Sequence, residues 1–286
     1  MSGSVEGRVP SAVPESQDPG PRRARMAEYG LWQLRDYLMD RGTPTFIVAT
    51  LFGYLTLMPM LATRSAEVPA RLIARFGSES AARAAMLAQL NYGFLRSFLG
   101  TLIFVGALFA MNGIVANDRK LGFYRFLFAK PVTPARYYGQ AFVIHWASFV
   151  GLMTLAGLLY GVFVAPVLSW PLMTVVALMF LCYGGIAFLL SAAARWDWLS
   201  LVAVSVASTF LWGKFGASGH PLAKLLYLLP PLHRTDEVYA AVSGAQLFDT
   251  SAPHLPWHLV AWLASYGAAS FLAGLLVLRH RRLAIV

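Results

Sequence analysis

The sequence predicts an all-α integral membrane protein: six transmembrane helices, an N-terminal interfacial helix, and a basic, aromatic segment between the second and third spans. Three observations predict it. Of 286 residues, 58% are apolar and only 13% charged, with a mean hydropathy of +0.59, whereas soluble domains carry about a quarter charged residues. The apolar residues gather into six runs, approximately 44–62, 94–115, 140–165, 170–192, 199–213 and 257–278, and about 20 apolar residues cross a hydrocarbon core. The basic residues collect beside these runs. There are 23 Lys and Arg against 13 Asp and Glu, a net charge of +10. In a soluble protein that excess points to nucleic acid; next to apolar runs it fits lipid headgroups, so the bilayer is the expected partner and nucleic acid is not.

Residues 1–27 are rich in Ser, Gly, Pro, Glu and Arg and have no apolar core, the composition of a disordered tail. No apolar stretch follows the early arginines closely, so a signal peptide is not expected there. In 28–41, Leu31, Leu34 and Leu38 recur at helical spacing beside Trp32 and Tyr37, with Gln33, Asp36 and Asp40 on another face. That pattern suits an amphipathic helix in the headgroup region; a short helix packed on protein is the alternative. The membrane domain is 42–282, followed by a short end at 283–286. Within it, run 199–213 is short for a span and borrows from its flanks. No stretch of helical length repeats another, so one domain is expected.

With the N-terminus inside, 15 of the 23 basic residues face inward and eight outward, which predicts both termini in the cytoplasm. The first outer segment carries an Ala- and Arg-rich stretch, 69–89, that reads as one or two helices broken at Gly77. The last, 214–256, contains an apolar piece ended by Pro230-Pro231, too short to span; the segment either re-enters the membrane or binds an accessory protein. The missing signal peptide and the Arg/Ala/Gly-rich style suggest a bacterial cytoplasmic membrane.

The sequence holds no phosphate-binding loop and no metalloprotease or nucleophile-elbow motif, so catalysis by this chain is not expected. Gly184-Gly185 reads as close helix packing, and Cys182 as buried packing with neither disulfide nor metal-ligand spacing. His145 reads as a hydrogen-bonded structural or interfacial residue. His220, His233, His254 and His258 are spaced too widely for a metal site, and Pro256 separates the last two. The paucity of intramembrane acids argues against a proton-coupled carrier. The informative stretch is 118–138. Asp118, Arg119 and Lys120 open it, Gly122 follows, Phe126 and Leu127 lie in an aromatic cluster, and Lys130, Pro131, Arg136 and Tyr137 close it. Two readings fit: a short helix presenting aromatics and cations to a partner, or a loop whose aromatics lie among headgroups.

An interfacial N-terminal helix, six spans and this segment together resemble the type-2 ATP-binding-cassette (ABC) exporter permeases. The matching positions are Asp118, Arg119, Gly122, Leu127, Pro131, Val132, Thr133 and Tyr137; Phe123-Tyr124-Arg125 departs from the Gly-Thr-acidic pattern often found in that family. The resemblance implies a permease that pairs with a second copy of itself, and two copies of a separate ATP-binding subunit carrying ATP and Mg, with no cofactor in this chain. Residues 118–138 would be the coupling helix, 28–41 the elbow helix, and 214–256 a re-entrant pair. A non-transporting anchor for a haem, metal or respiratory complex is the rival reading.

Overall fold

The structure is a computed structural model that describes residues 20–111, 114–115, 118, 133–163, 168–193, 197–216, 221–244 and 254–280. The expected tail 1–19 and most of the 118–138 segment lie outside the described residues, as does the end 283–286. Among the described residues every regular element is helical. Helix α1 (Gly20–Tyr37) passes through a π turn at Leu38–Gly42 into α2 (Thr43–Ser65). Then come α3 (Ala70–Phe76) and α4 (Glu79–Gly93), a second π turn at Phe94–Leu99, and α5 (Gly100–Met111). Three long helices follow: α6 (Pro134–Phe163), α7 (Trp170–Ala193) and α8 (Asp197–Phe215). Two 3-10 helices (Pro221–Leu228 and Pro231–Arg234) lead to α9 (Thr235–Ser243) and α10 (Trp257–His280).

Five helical stretches are long and apolar enough to cross a membrane: Glu28–Ser65, Glu79–Met111, Pro134–Phe163, Trp170–Ala193 and Trp257–His280. The chain is a multi-pass membrane protein. The sixth expected span differs. The apolar part of α8, Leu199–Phe215, rises about 25 Å at about 1.5 Å per residue, less than a hydrocarbon core of about 30 Å.

The stretch expected as an interfacial helix is continuous with the first span. Gly30 lies against Gln140 and Ile144 of α6, Gly42 against Leu152, and Gly53 against Tyr160. These contacts climb both helices together, so α1, the π turn and α2 form one rod running parallel to α6, and 28–41 is not a separate helix. The face it buries is also not the one its leucines mark. Leu31 and Trp32 are exposed and Leu34 and Leu38 half-buried, while Gln33 and Tyr37, one turn apart, are buried.

Helix α7 is the centre of the bundle, flanked by α5, α6, α8 and α10; its Val175, Val176, Met179, Phe180, Cys182 and Phe188 are fully enclosed. Its approach to α10 is backbone to backbone: a Cβ on Gly185 would stand 2.2 Å from the Gly267 carbonyl oxygen, and one on Gly267 2.7 Å from that of Leu181. Without a hydrophobic drive between helices in lipid, such small-residue contacts let dispersion hold helices together. Gly139, near the start of α6, meets Leu275 and Phe271 near the end of α10. The first turns of α1 and α6 and the last turns of α10 therefore share one end of the bundle, the end at which Asp118 lies.

At the opposite end the break expected at Gly77 is present. Gly77 adopts a left-handed φ of 79° that ends α3, and the Ser78 hydroxyl then accepts from the Ala81 N–H at 3.2 Å to start α4. Arg83 donates to the carbonyls of Thr63 and Arg64 and closes the last turn of α2. The segment before α9 dips back into the bundle. Ser208, about two turns below Phe215, donates to the Pro230 carbonyl at 2.6 Å. The Trp212 indole N–H donates to Leu226 O, and the Tyr266 hydroxyl to Leu228 O. Three side chains thus satisfy three carbonyls of irregular backbone.

The α7–α10 contact yields a contrast between neighbours. Gly185→Val meets a backbone oxygen that has nowhere to go, and overpacking of this kind costs about 1–3 kcal/mol or more. At Gly184 the nearest atoms are ring carbons of Phe180 and Phe142 at 3.4 and 3.5 Å, and a helical Gly→Ala change stabilises by about 0.5–1 kcal/mol. Thermal unfolding in detergent should therefore show a lowered midpoint for Gly185→Val and an unchanged or raised one for Gly184→Ala.

Candidate functional site

The polar groups worth assembling lie at the Asp118 end of the bundle. The π turn that joins α1 to α2 carries Arg41, and its Nη1 donates to the carbonyl oxygen of Ala110 near the end of α5 at 2.8 Å. His145, about three turns into α6, brings Nδ1 to the same oxygen at 3.0 Å. A carbonyl only accepts, so Nδ1 is the protonated nitrogen. Tyr37 stacks on the His145 ring with centroids 4.6 Å apart. One backbone oxygen thus ties α1, α5 and α6 together.

A second tie lies beyond the ends of the apolar runs. The Tyr138 hydroxyl donates to Asp118 Oδ2 at 3.0 Å, joining the two ends of the 118–138 segment. Burial pushes the Asp118 carboxyl above the ordinary carboxylate range; the Tyr138 hydrogen bond and the Arg41 charge oppose that rise, and Asp36 adds to it. The Gln33 amide faces Tyr137 without forming a well-made hydrogen bond, and neither of its polar atoms has another partner.

Of the residues the sequence nominates in this segment, the structure brings together Asp118 and, through Tyr138, Tyr137. Arg136 is exposed, with its N–H on Thr133 in the first turn of α6. Arg119, Lys120, Gly122, Phe126, Leu127, Lys130 and Pro131 lie outside the described residues. His145 behaves as the sequence suggests, as a hydrogen-bonded structural residue. Sequence reasoning missed Arg41, Gln33 and Tyr138. A lone arginine abutting an apolar run was the available signal for Arg41. Nothing in the spacing of 28–41 singles out Gln33, because it shares its polar character with Asp36 and Asp40.

The histidines between α8 and α10 take separate local contacts where they are described. His233 stacks on Trp212 with centroids 4.0 Å apart, and the His254 backbone N–H donates to Ala241 O; His220 lies outside the described residues. Among the described residues no three His, Cys, Asp or Glu side chains come close enough to hold a metal ion. Compared with known proteins, the sequence matches no family model and no curated protein.

The raised Asp118 pKa has a pH consequence. An acid whose folded pKa lies above its unfolded one contributes stability below the unfolded value, here about the ordinary 3.8, and loses it as pH rises through the folded value. Relative to Asp118→Asn, which retains an oxygen for Tyr138, the wild-type protein should lose stability as pH rises from below 4 towards neutrality. Unfolding midpoints of the two proteins across that range check it, and parallel curves would refute it.

Proposed function

We propose that this chain is the membrane subunit of an ATP-driven exporter of the type-2 ABC permease kind, with 118–138 as the surface that docks a separate ATP-binding subunit. The observation that carries the reading is the hydrogen bond between Tyr138 and Asp118. It pins both ends of a basic, aromatic segment to the base of the bundle. The helices on either side, α5 and α6, are themselves joined where Ala110 accepts from Arg41 and His145. A push on the segment therefore reaches α5, α6 and the α1–α2 rod as one body, without first stretching a flexible tether. This is what a subunit driven from below requires.

The rest of the reading follows from the same end. Helices α1 and α10 approach the start of α6 on the Asp118 side of the bundle, and the excess of basic residues in the segments on that side supports a cytoplasmic face; the reading takes the membrane to be a bacterial cytoplasmic one. Helix α8 together with the segment that dips against Ser208 and Tyr266 makes up the sixth crossing. Two copies of the chain form the path, and ATP and Mg reside on the partner, which supplies the hydrolysis.

The test is purification in mild detergent from the native membrane. A stoichiometric companion with a phosphate-binding loop is expected, and Phe126→Asp or Leu127→Asp should cut its association about tenfold or more, the scale of losing one buried apolar anchor. Undiminished association in both variants would sink the docking assignment.

A further inference from the structure

Four helices leave the apolar layer at one level. The apolar run of α6 begins at Gln140. Gly139 beside it touches Leu275 and Phe271 of α10, whose run ends close by at Leu278. Phe142 meets Phe188 of α7, a turn before that run ends at Ala192. Helix α5 comes level with His145 at Ala110, and its run closes little more than a turn later at Val115. At the Asp118 end of the bundle the hydrocarbon boundary therefore lies close to Gln140.

The α1–α2 rod does not keep to that level. Gly30 packs against Gln140 and Ile144, Tyr37 stacks on His145 with ring centroids 4.6 Å apart, and Gly42 meets Leu152. Rod and α6 climb in step. Trp32 thus stands near the boundary, Asp36 at least one turn inside it and Asp40 at least two, about 11 Å at about 5.4 Å per turn. Arg35, Asp36 and Asp40 are all exposed, and among the described residues neither aspartate forms an ion pair. A carboxylate facing lipid tails is costly, and an aspartate side chain is too short to reach the headgroups from two turns in. Ionisable groups at such depth face protein or a water-filled cavity. A second copy of this face is a poor match, because it would set twice as many aspartates as arginines against each other in a buried contact. Beyond Asp40 the exposed surface of the rod turns apolar at Ile47, Val48 and Leu51. The charged surface is therefore confined to the part of the rod next to the boundary, as in a recess open at one end.

We infer that Arg35, Asp36 and Asp40 line a water-filled vestibule that enters the bilayer from the Asp118 end, beside α6, and stops short of Ile47. It brings hydrophilic solutes to a depth from which the lipid-facing side of α6 excludes them. The inference rests on the position of the rod against α6 and holds whether or not the chain is an exporter.

The experiment uses the full chain in lipid nanodiscs, where both membrane faces are open to reagent, and single cysteine substitutions at exposed positions. Met39→Cys places a thiol between Asp36 and Asp40 without removing a charge; Met39 is 68% exposed. Val143→Cys places one on the lipid side of α6, nearer the boundary than Met39; Val143 is 53% exposed. The unaltered chain is the blank, since its Cys182 is buried. A charged, membrane-impermeant thiosulfonate should modify Met39→Cys at least about tenfold faster than Val143→Cys, within the cost of bringing a charge into lipid. Both should react fully once the protein is unfolded in dodecyl sulfate. Ile47→Cys should be as slow as Val143→Cys, marking the closed end. Equal rates at Met39→Cys and Val143→Cys would place the whole level in headgroup water and overturn the inference. So would a Met39→Cys protein that reacts only when unfolded, which would mean that lipid or a second copy covers the face, or an Ile47→Cys protein that reacts as fast as Met39→Cys.

Discussion

In hydrocarbon there is no water to take up a loose backbone carbonyl, so every departure from regular helix must be satisfied from within the chain. That constraint accounts for most of the polar side chains this bundle buries. Ser208, Trp212 and Tyr266 supply donors to Pro230, Leu226 and Leu228, where the backbone between α8 and α10 is irregular. Tyr160 of α6 donates to the Ala49 carbonyl of α2, with Gly53 leaving room for its ring. Trp146 reaches from α6 to the Ala177 carbonyl of α7 at 2.9 Å. Arg41 and His145 meet on Ala110. These bonds do more than remove a penalty. Each runs from one element to another, so satisfying the backbone also cross-braces helices that have no hydrophobic effect to hold them together.

The bracing is uneven, and the unevenness divides the molecule into working parts. Helix α7 is locked to α10 by glycine contacts that tolerate no Cβ and is enclosed by apolar side chains on all sides, which makes it a fixed axis. The α1–α2 rod is different. Much of α2 presents Ile47, Val48, Leu51, Phe52, Leu55 and Met58 outward, and its ties to the rest include contacts at Gly30, Gly42, Gly53 and Arg41 and the Arg83 bonds to its last turn. Two π turns interrupt the long helices, and each carries an arginine that reaches another element: Arg41 to Ala110, and Arg96 to Asp236 of α9 at 3.0 Å. Such turns redirect side chains and are often found where a helix does something besides span. The second pair is exposed and contributes little by itself; the first lies in partly buried surroundings, where a charge-assisted bond is worth more.

How much of this the sequence discloses depends on the kind of signal. Apolar run length is a property of the sequence alone, so the all-helical membrane class and five of the spans were legible. The left-handed turn at Gly77 was legible because a glycine between two helical patterns has few other uses, and the Gly184-Gly185 contact because nothing polar stands beside it. The continuity of α1 with α2 was not legible. An amphipathic pattern followed by an apolar run looks the same whether the chain bends between them or continues through a π turn, and what decides it is the packing of Gly30, Gly42 and Gly53 on α6. The shortness of α8 was visible, but not which side chains would meet the irregular backbone packed against it, Ser208, Trp212 and Tyr266. In the candidate site, Asp118 and Tyr137 stood out by charge and by flanking prolines. Arg41 and Gln33 did not, since their importance comes from which carbonyl or hydroxyl lies opposite, and that is long-range information.

The central claim is that the bundle end carrying Asp118 moves as one joint, with α1 fixed to the base of α6. Trp32 on α1 and Arg136 at the start of α6 are both exposed, and the chain's single cysteine, Cys182, is buried, so spin labels can be placed at 32 and 136 without competing labelling. The decisive measurement is the distance distribution between these two labels in lipid, by pulsed electron resonance on labelled chains diluted with unlabelled ones, with and without ATP and the companion subunit. A single narrow distance that does not change with nucleotide is the predicted result. A broad distribution, or a distance that shifts when ATP is added, would show α1 moving independently of α6 and would contradict the account.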